Sequence, residues 1–345
     1  MNSPPVTRPY FSSDPAKEKA AVILCWAVTF LSTLILIFFW EETRSLQFIA
    51  NLQQYRTPFV EFLFRFFTFL GDDQFFMVFF GVLIWCVSKP LGFWTAFVLL
   101  TSGTYSGLIK DLTILERPAL AGIIQPDNSA FPSGHTLTAI TVWGYLAVRL
   151  KNRNFWLWSA LTIIMIAVSR LILGYHFLGD VLGGIALGIP FLLFFLWLST
   201  AFIEQKWMDK VSLPLLLSLS LAVPLLISSL LPGSDPPKLM GYLAGASFGY
   251  ILEKEKVRSA VNAPFFKQII KSVIGLAVLF GIIMGLGPVL PSAVEILGFI
   301  RYGLGGLWVT LIAPALFVKL RLSGTTKEPD QEIDQPTIPL PSESV

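Results

Sequence analysis

The chain has 345 residues, of which 54% are hydrophobic and 14% are charged, and its mean hydropathy is +0.69. This composition excludes an ordinary soluble domain and predicts an integral membrane protein surrounded by membrane lipids. The formal net charge of +3 is too small to indicate binding to nucleic acid, so we expect no such partner.

Apolar stretches long enough to cross a bilayer follow one another along the chain, which predicts an all-α polytopic membrane protein. Ten spans are expected, or nine, at 20–40, 74–88, 91–109, 134–149, 155–173, 179–200, 213–231, 238–252, 268–287 and 297–318. The first run is too long for a cleaved signal peptide and is expected to remain as a signal anchor. The expected organisation comprises disordered tails at both ends, a six-span core and about four additional C-terminal spans. Its segments are 1–19, 20–200, 201–322 and 323–345.

Basic residues are distributed unequally between the two ends of these spans. The richer end holds Lys17, Lys19, Lys89, Arg149, Lys151, Arg153, Lys206, Lys210, Lys254, Lys256, Arg258, Lys319 and Arg321. The positive-inside rule makes this end cytoplasmic, which also predicts that both termini are cytoplasmic.

Three polar islands interrupt the apolar sequence, at 110–118, 132–135 and 169–180, and they contain both histidines of the chain, His135 and His176. The predicted topology brings all three islands to the outer face of the membrane. Histidine exchanges protons near neutral pH more readily than any other side chain. The islands are therefore candidates for one outward-facing chemical site.

Lys110, Arg117 and Arg170 are three cations beside apolar spans. Because cations placed together repel one another, we expect them to share an anion, and phosphate matches both the fork of arginine and the point charge of lysine. The alternative for any single one of them is interfacial snorkelling of a long side chain.

The sequence Pro132-Ser133-Gly134-His135 predicts a helix N-terminus. Proline suits a first helical turn, Ser133 can cap it, and Gly134 lets a ligand approach the backbone. Free N–H groups at such a terminus bind phosphate. An ordinary serine cap followed by a histidine is the alternative interpretation.

His176 and Asp180 are four residues apart, which places them on one face of a helix. A carboxylate beside an imidazole fixes its tautomer and prepares it for attack on phosphorus. A purely structural pair has the same spacing.

Taken together, Lys110-x6-Arg117-Pro118, Pro132-Ser133-Gly134-His135 and Ser169-Arg170-x5-His176-x3-Asp180 resemble the three-part signature of the type 2 phosphatidic acid phosphatase and haloperoxidase superfamily, in its membrane-bound lipid phosphatase branch. The resemblance covers about residues 20–200 and leaves the last four spans unassigned.

The resemblance implies a role for each residue of the signature. His176 is the expected nucleophile, which forms a phosphohistidine, Asp180 orients it, and His135 is the general acid. The expected phosphate-binding set is Lys110, Arg117, Ser133, Gly134 and Arg170. No metal and no cofactor are expected, because the cations stabilise the transition-state charge.

The predicted function is a lipid phosphatase that removes a terminal phosphate from a lipid phosphate or diphosphate. The candidate substrates are an isoprenyl diphosphate, phosphatidic acid and phosphatidylglycerol phosphate, and the expected location is a bacterial plasma membrane with the site facing the exterior. The alternatives are a lipid-to-lipid phosphotransferase using the same site and a phosphate-binding transporter, although transporter sites usually lie near the midplane. A haloperoxidase and a phosphatase of soluble esters fit the spans less well. The oligomeric state is left open.

Two further features carry weaker predictions. The segment 44–70 is rich in phenylalanine and predicts an interfacial helix, or one packed on the bundle rim. Glycines in the last spans predict close helix packing. They are Gly245, Gly249, Gly281, Gly285, Gly303 and Gly306.

Overall fold

The computed structural model describes Phe11 and residues 15–120, 123, 125–204, 210–231 and 235–326. These residues form α-helices, several of which continue into short π-helical segments. Within the described ranges, β pairing is limited to one isolated bridge between Ser259 and Thr325. The predicted all-α architecture is confirmed.

Local signals explain where several helices begin. The Thr57 side chain accepts a hydrogen bond from the Val60 N–H, with Pro58 in the first turn, and the Asn152 side chain accepts from the N–H groups of Asn154 and Phe155. The helices of the first part of the chain are α1 (Pro15–Phe38), α2 (Trp40–Thr43), α3 (Leu46–Gln53), α4 (Pro58–Phe69), α5 (Asp73–Val82), α6 (Lys89–Thr113), α7 (Gly134–Leu150), α8 (Arg153–Ile172) and α9 (Leu178–Glu204).

The second part of the chain continues the helical pattern. Its helices are α10 (Leu213–Leu230), α11 (Asp235–Leu252), α12 (Phe265–Phe280), α13 (Glu295–Leu307) and α14 (Ala313–Lys319). The π-helical segments are Leu83–Val87, Glu253–Val257, Gly281–Gly285 and Trp308–Ile312. Each lies directly after an α-helix, and all but the charged Glu253–Val257 extend the apolar run of that helix.

All ten predicted spans are helical, but fewer have the length and apolarity of a membrane span. Six segments of the described chain do: Ala16–Phe38, Arg153–Ile172, Leu178–Phe202, Leu213–Leu230, Phe265–Gly285 and Glu295–Lys319. A seventh is available if Pro58–Phe69 and Asp73–Val87, which meet at a 53° bend, count as one broken span. The difference from ten arises mainly at α6, α7 and α11, whose sequences include polar and small residues. The chain is an integral membrane protein.

The helices divide into two compact units. Unit 1 contains residues 1–75 and 105–205, and unit 2 contains 76–104 and 206–345. This division differs from the predicted boundary at residue 200, because the segment 76–104 belongs with the C-terminal helices.

The predicted tails also need correction at their edges. Helix α1 begins at Pro15, so residues 15–19 are helical and only part of the 1–19 tail remains. At the other end, the Ala260 N–H donates to the Gly324 carbonyl and the Thr326 N–H donates to the Arg258 carbonyl. Residues 323–326 are therefore held by hydrogen bonds. Of the remaining residues of both predicted tails, Phe11 donates its N–H to Glu18 Oε2 at 2.6 Å, and the others lie outside the described residues.

In unit 1, α7 is the most deeply buried helix, and it packs against α8 and α9. A Cβ atom added at Gly184 of α9 would lie 2.9 Å from both the Ser133 carbonyl oxygen and the Thr136 Cβ. Glycine at this position is therefore what lets α9 approach the beginning of α7. Helix α1 packs against α9, and α3 and α4 pack against α8.

In unit 2, glycines allow α11 and α13 to touch along their backbones. A Cβ at Gly245 would lie 1.9 Å from the Gly303 carbonyl oxygen, and one at Gly306 would lie 2.2 Å from that of Tyr242. Close packing is thus confirmed there and at Gly249, which faces Thr310 at 2.3 Å. The same prediction is wrong for Gly281 and Gly285, where a Cβ would meet no atom of the described part of the chain within 4 Å.

Candidate active site

The third island forms the connection between α8 and α9 in unit 1. Arg170 is the last buried residue of α8. Its carbonyl oxygen accepts hydrogen bonds from the N–H groups of Tyr175, at 3.0 Å, and His176, at 3.2 Å. Gly174 takes a φ of +74°, a conformation that glycine adopts without strain. This tight turn delivers His176 to the beginning of α9.

Asp180 lies in the first turn of α9, and its side chain is fully buried. Its Oδ2 accepts a hydrogen bond from the Phe177 N–H at 2.8 Å and lies 3.4 Å from His176 Nδ1. The second contact is within ion-pair distance but does not have hydrogen-bond geometry, and Nδ1 has no other hydrogen-bond partner among the described residues. The carboxylate therefore lies behind the imidazole on its Nδ1 side.

Arg117 contacts the opposite nitrogen of the same ring. Its NH1 lies 3.2 Å from His176 Nε2 and also donates to the Tyr175 carbonyl at 2.9 Å. Because a guanidinium only donates, Nε2 must be the acceptor, which assigns the ring proton to Nδ1, on the side of Asp180. The lone pair of Nε2 is consequently directed towards a cation that is suited to bind phosphate.

The surroundings of His176 favour its neutral form. Burial is the largest cause and lowers the pKa of His176 well below its usual value, and the positive charges of Arg170, Arg117 and Lys110 lower it further. The side chain is 2% exposed. A neutral imidazole retains the lone pair that a nucleophile requires.

The second island is tied directly to the third. The Ser133 N–H donates to the Asp180 backbone carbonyl at 2.9 Å, and α7 begins at the next residue, Gly134. Ser133 occupies the cap position, as predicted, but its hydroxyl accepts from the Thr136 hydroxyl at 3.0 Å and makes no capping bond. The first-turn N–H groups of α7 thus remain directed beyond the helix end.

Lys110 and Arg170 complete the predicted set. The Lys110 ammonium donates to the Ser129 carbonyl, and its Cε lies 3.9 Å from where a Gly134 Cβ would be. The Arg170 guanidinium is centred 4.6 Å from the Tyr175 ring, its NH1 donates to the Thr68 hydroxyl, and its Nε has no hydrogen-bond partner in the described ranges. All eight predicted site residues therefore lie in one connected region of unit 1.

The structure adds three residues that the sequence analysis did not assign to the site. Asp72 Oδ1 lies 2.7 Å from His135 Nε2, Thr68 binds Arg170, and Arg44 NH1 binds Asp180 Oδ1 at 2.6 Å. These contacts join residues that are 63, 102 and 136 positions apart. Only the phenylalanine-rich segment 44–70, already noted as an outer helix, pointed to this part of the chain.

A bound metal ion would require several ligand side chains grouped close together. Among the residues with described positions, no three His, Cys, Asp or Glu side chains are grouped so that they could hold a metal ion.

Two family models match the chain. Residues 91–204 match the PAP2 superfamily, and residues 237–325 match the PAP2 superfamily phosphatase, transmembrane extension. Together they cover more than half of the chain, and the first includes the eight predicted site residues. The chain belongs to the PAP2 superfamily. The C-terminal helices, which the resemblance left unassigned, thus match a recognised extension of the same superfamily.

Curated relatives and one solved structure show similarity to this PAP2 chain. A probable sphingosine-1-phosphate phosphatase of Dictyostelium discoideum is 25% identical over 190 residues, which cover 50% of this chain and 47% of the relative. Phosphatidylglycerophosphatase B of Bacillus subtilis (strain 168) is 32% identical over 111 residues, which cover 29% and 54%. The chain therefore spans about half the length of the curated relatives it matches. A crystal structure of a transmembrane PAP2 type phosphatidylglycerolphosphate phosphatase from Bacillus subtilis aligns with a TM-score of 0.42 at 19% identity, over 55% of this chain and 97% of that chain.

Proposed function

We propose that the protein is a lipid phosphatase that hydrolyses the terminal phosphate of a lipid phosphate or diphosphate through a phosphohistidine at His176. The observation that carries the proposal is the arrangement around the His176 ring, with Arg117 NH1 3.2 Å from Nε2 and Asp180 on the Nδ1 side. One nitrogen is thereby free of its proton, and the nearest charged group is one that binds phosphate.

In the proposed first step, the phosphate group accepts hydrogen bonds from Arg117 and Arg170. The N–H of Arg117 NH1 that faces His176 Nε2 then donates to a phosphate oxygen instead. The Nε2 lone pair then attacks phosphorus, and the N–H on Nδ1 becomes directed towards the Asp180 carboxylate as the ring gains positive charge. Lys110 and the backbone at Gly134 bind the remaining phosphoryl oxygens. These donors stabilise the transition-state charge, so the proposed mechanism requires no metal ion.

His135 is the proposed proton donor for the leaving oxygen. It is the second residue of α7 and follows the proposed phosphate-binding residues Ser133 and Gly134. Water then hydrolyses the phosphohistidine, with His135 returning as the base. An imidazole suits both roles because its charged form donates a proton and its neutral form accepts one.

A lipid substrate is favoured by helix α4, which leads to the site. Its last turn carries Thr68, the partner of Arg170, while four phenylalanines on one face are exposed. The exposed fractions are 72% for Phe59, 71% for Phe62, 52% for Phe66 and 42% for Phe69. Such a face is suited to the apolar environment of acyl or isoprenyl chains. The named activities of the relatives, on sphingosine phosphate and phosphatidylglycerophosphate, favour the same substrate class.

We also propose that the site faces the exterior of a bacterial plasma membrane and that both termini are cytoplasmic. The basis is the excess of lysine and arginine at the opposite ends of the helices.

The test is phosphate release by the full chain in detergent, from phosphatidic acid, phosphatidylglycerol phosphate, sphingosine phosphate and an isoprenyl diphosphate, in the presence of a chelator. Wild type should release phosphate from at least one of them, and His176→Ala should lower the rate by about 10³-fold or more. Retention of the rate in His176→Ala would remove His176 as the nucleophile. Loss of wild-type activity in chelator would overturn the metal-independent mechanism.

A further inference from the structure

Both histidines of this chain have an aspartate partner, and the two pairs differ in which ring nitrogen faces the carboxylate. In the first pair Asp180 lies on the Nδ1 side of His176. In the second, Asp72 Oδ1 lies 2.7 Å from Nε2 of His135. The proposed nucleophile is thus left with Nε2 for chemistry, whereas the proposed acid is left with Nδ1.

The second pair is held by the short connection between α4 and α5. The Gly71 N–H donates to the Thr68 carbonyl at 2.9 Å, and the Asp72 N–H donates to the Phe69 carbonyl at 3.0 Å. A Cβ added at Gly71 would lie 3.1 Å from His135 Cδ2, so this connection packs directly against the imidazole ring. Asp72 therefore approaches His135 from a backbone that is itself hydrogen-bonded.

The same connection also reaches the phosphate-binding side of the site, because the Thr68 hydroxyl accepts from Arg170 NH1. The Asp72 side chain is 41% exposed and that of His135 is 27% exposed. A carboxylate so placed is more accessible than a buried structural ion pair, and the proton of His135 can exchange with water.

We propose that Asp72 is a positioning residue for His135, holding the Nε2–H so that Nδ1 is the nitrogen that gives its proton to the leaving oxygen. The inference rests on the proposed function and deepens it. A carboxylate only accepts hydrogen bonds, so the 2.7 Å contact requires the proton to be on Nε2. The negative charge also stabilises the imidazolium, which is the form that acts as an acid.

Formation of the phosphohistidine conserves atoms and charge. His176 Nε2 uses its lone pair to form the N–P bond, the P–O bond to the leaving group breaks, and that oxygen keeps the electron pair. The oxygen then takes the proton of His135 Nδ1 and leaves as an alcohol or a phosphate. His135 becomes neutral and retains its Nε2–H, still bound to Asp72. In the second step, the vacant Nδ1 accepts a proton from the attacking water, whose oxygen forms a new P–O bond. The N–P bond breaks and its electron pair returns to His176 Nε2.

The experiment compares two phosphate monoesters that differ in how much the leaving oxygen needs a proton. One is an alkyl phosphate, the short-chain phosphatidic acid, and the other is the aryl ester 4-nitrophenyl phosphate. The parameter is kcat/KM, which reports steps up to phosphohistidine formation and excludes its hydrolysis. The variants are Asp72→Asn, Asp72→Glu and His135→Gln, all as full chains in detergent.

Asp72→Asn should lower kcat/KM for the alkyl phosphate by about 10- to 100-fold, because general acid catalysis contributes about 10²- to 10⁴-fold and the variant loses part of it. The aryl ester should change by less than about threefold, since its phenolate leaves without a proton. His135→Gln should show the same selectivity with a larger loss, and Asp72→Glu should recover part of the alkyl activity. Asp127→Asn, an equivalent change at an exposed aspartate of unit 1, should leave both substrates unchanged.

Equal losses on both esters, or no loss on either, would overturn the role of Asp72. If Asp72→Asn does not fold, Asp72→Glu provides the test. A larger loss of kcat/KM on the alkyl ester than on the aryl ester supports the proposal, and equal losses on the two esters reject it. A wild-type chain without phosphatase activity would instead reject the proposed function itself. The two failures are thus distinguishable, because only the second abolishes the difference between wild type and His176→Ala.

Discussion

Lys89 of unit 2 and the two phosphate-site arginines of unit 1, Arg117 and Arg170, differ in whether a carboxylate neutralises their charge. In unit 2, Lys89 Nζ is bound by both carboxylate oxygens of Glu253, at 3.0 and 3.1 Å, and by the Ser259 carbonyl. The fully buried Lys271 donates to the carbonyls of Trp85 and Val261 at 2.8 and 2.9 Å. Acceptors that are part of the fold bind both lysines, but the carboxylate of Glu253 faces Lys89 alone of these two.

In unit 1, the two predicted phosphate-binding arginines, Arg117 and Arg170, bind neutral groups. The hydrogen bonds described for Arg117 end on the carbonyls of Asn128 and Tyr175, the Asn128 amide oxygen and the His176 ring. Arg170 binds the Thr68 hydroxyl and the face of Tyr175. Such contacts orient a guanidinium without neutralising it.

This difference distinguishes a cation that stabilises the fold from one that serves chemistry. A buried charge is costly unless it is paired, and a protein that leaves it unneutralised gains an attraction for a ligand anion. We therefore expect substitutions in the two units to separate stability from catalysis.

The largest effect is expected at Arg117. Arg117→Ala should lower kcat/KM for a lipid phosphate by about 10²- to 10³-fold, because it removes a donor to the charge that develops in the transition state. Its melting temperature in detergent should stay close to that of wild type. The control is Arg149→Ala in the same unit, since Arg149 also binds neutral hydroxyls, those of Ser199 and Thr200. Equal activity losses in both variants would contradict the distinction.

In unit 2, removing a buried cation should lower stability and leave activity unchanged. Lys89→Met leaves Glu253 buried, with a side chain only 2% exposed, so it should destabilise the protein by about 3 kcal/mol, the range expected when one partner of a buried pair is removed. The rate per folded molecule should be kept. The matched control is Lys238→Met, which breaks the more exposed pair with Asp235 and should cost about 0–1 kcal/mol. Thermal unfolding compares the two, and similar costs would refute the structural role of the Lys89 pair.

A smaller effect is expected from a substitution in unit 1 that changes helix packing and leaves the charges unchanged. Gly184→Ala places a Cβ 2.9 Å from the Ser133 carbonyl, so α9 or the beginning of α7 must shift, at a cost of about 1–3 kcal/mol. We expect about a tenfold loss of kcat/KM, because Ser133 and Gly134 move with that backbone. Gly107→Ala, where a Cβ would meet nothing within 4 Å, should be silent. A silent Gly184→Ala would show that the site tolerates this movement.

The smallest effect concerns pH. Burial and then Arg170, Arg117 and Lys110 lower the pKa of His176, so its neutral form should persist below the usual range for histidine. Protonation of His176 blocks attack, so phosphohistidine formation should fall only at acidic pH. Removing one nearby cation with Arg117→Gln should raise that pKa and move the acidic limb towards neutral pH. Single-turnover rates across pH check this, and a limb that moves the other way would contradict the cause assigned.

The sequence predicted the elements that local patterns encode. The two islands around His135 and His176 lie on short helix ends, and the spacing of four between His176 and Asp180 determines their contact, so these residues could be found from their positions alone. All ten predicted apolar stretches are helical for the same reason.

Other contacts could not be predicted because they join distant parts of the chain. Nothing in the spacing of Asp72 links it to His135, 63 residues later, and Arg44 reaches Asp180 only once α9 is in place. Gly281 has the same local sequence character as Gly245, yet a Cβ added at Gly281 would meet nothing within 4 Å among the residues with described positions. Membership of 76–104 in unit 2 likewise depends on tertiary packing, which hydropathy does not report.

The most direct test of the central claim is to trap the covalent intermediate. A lipid phosphate labelled with ³²P is mixed with the full chain and quenched in base within milliseconds, since phosphohistidine survives base and is lost in acid. Label should appear on a peptide containing His176 in wild type, and His176→Ala should carry none. Turnover by wild type without any label on His176, or label retained in His176→Ala, would contradict the account.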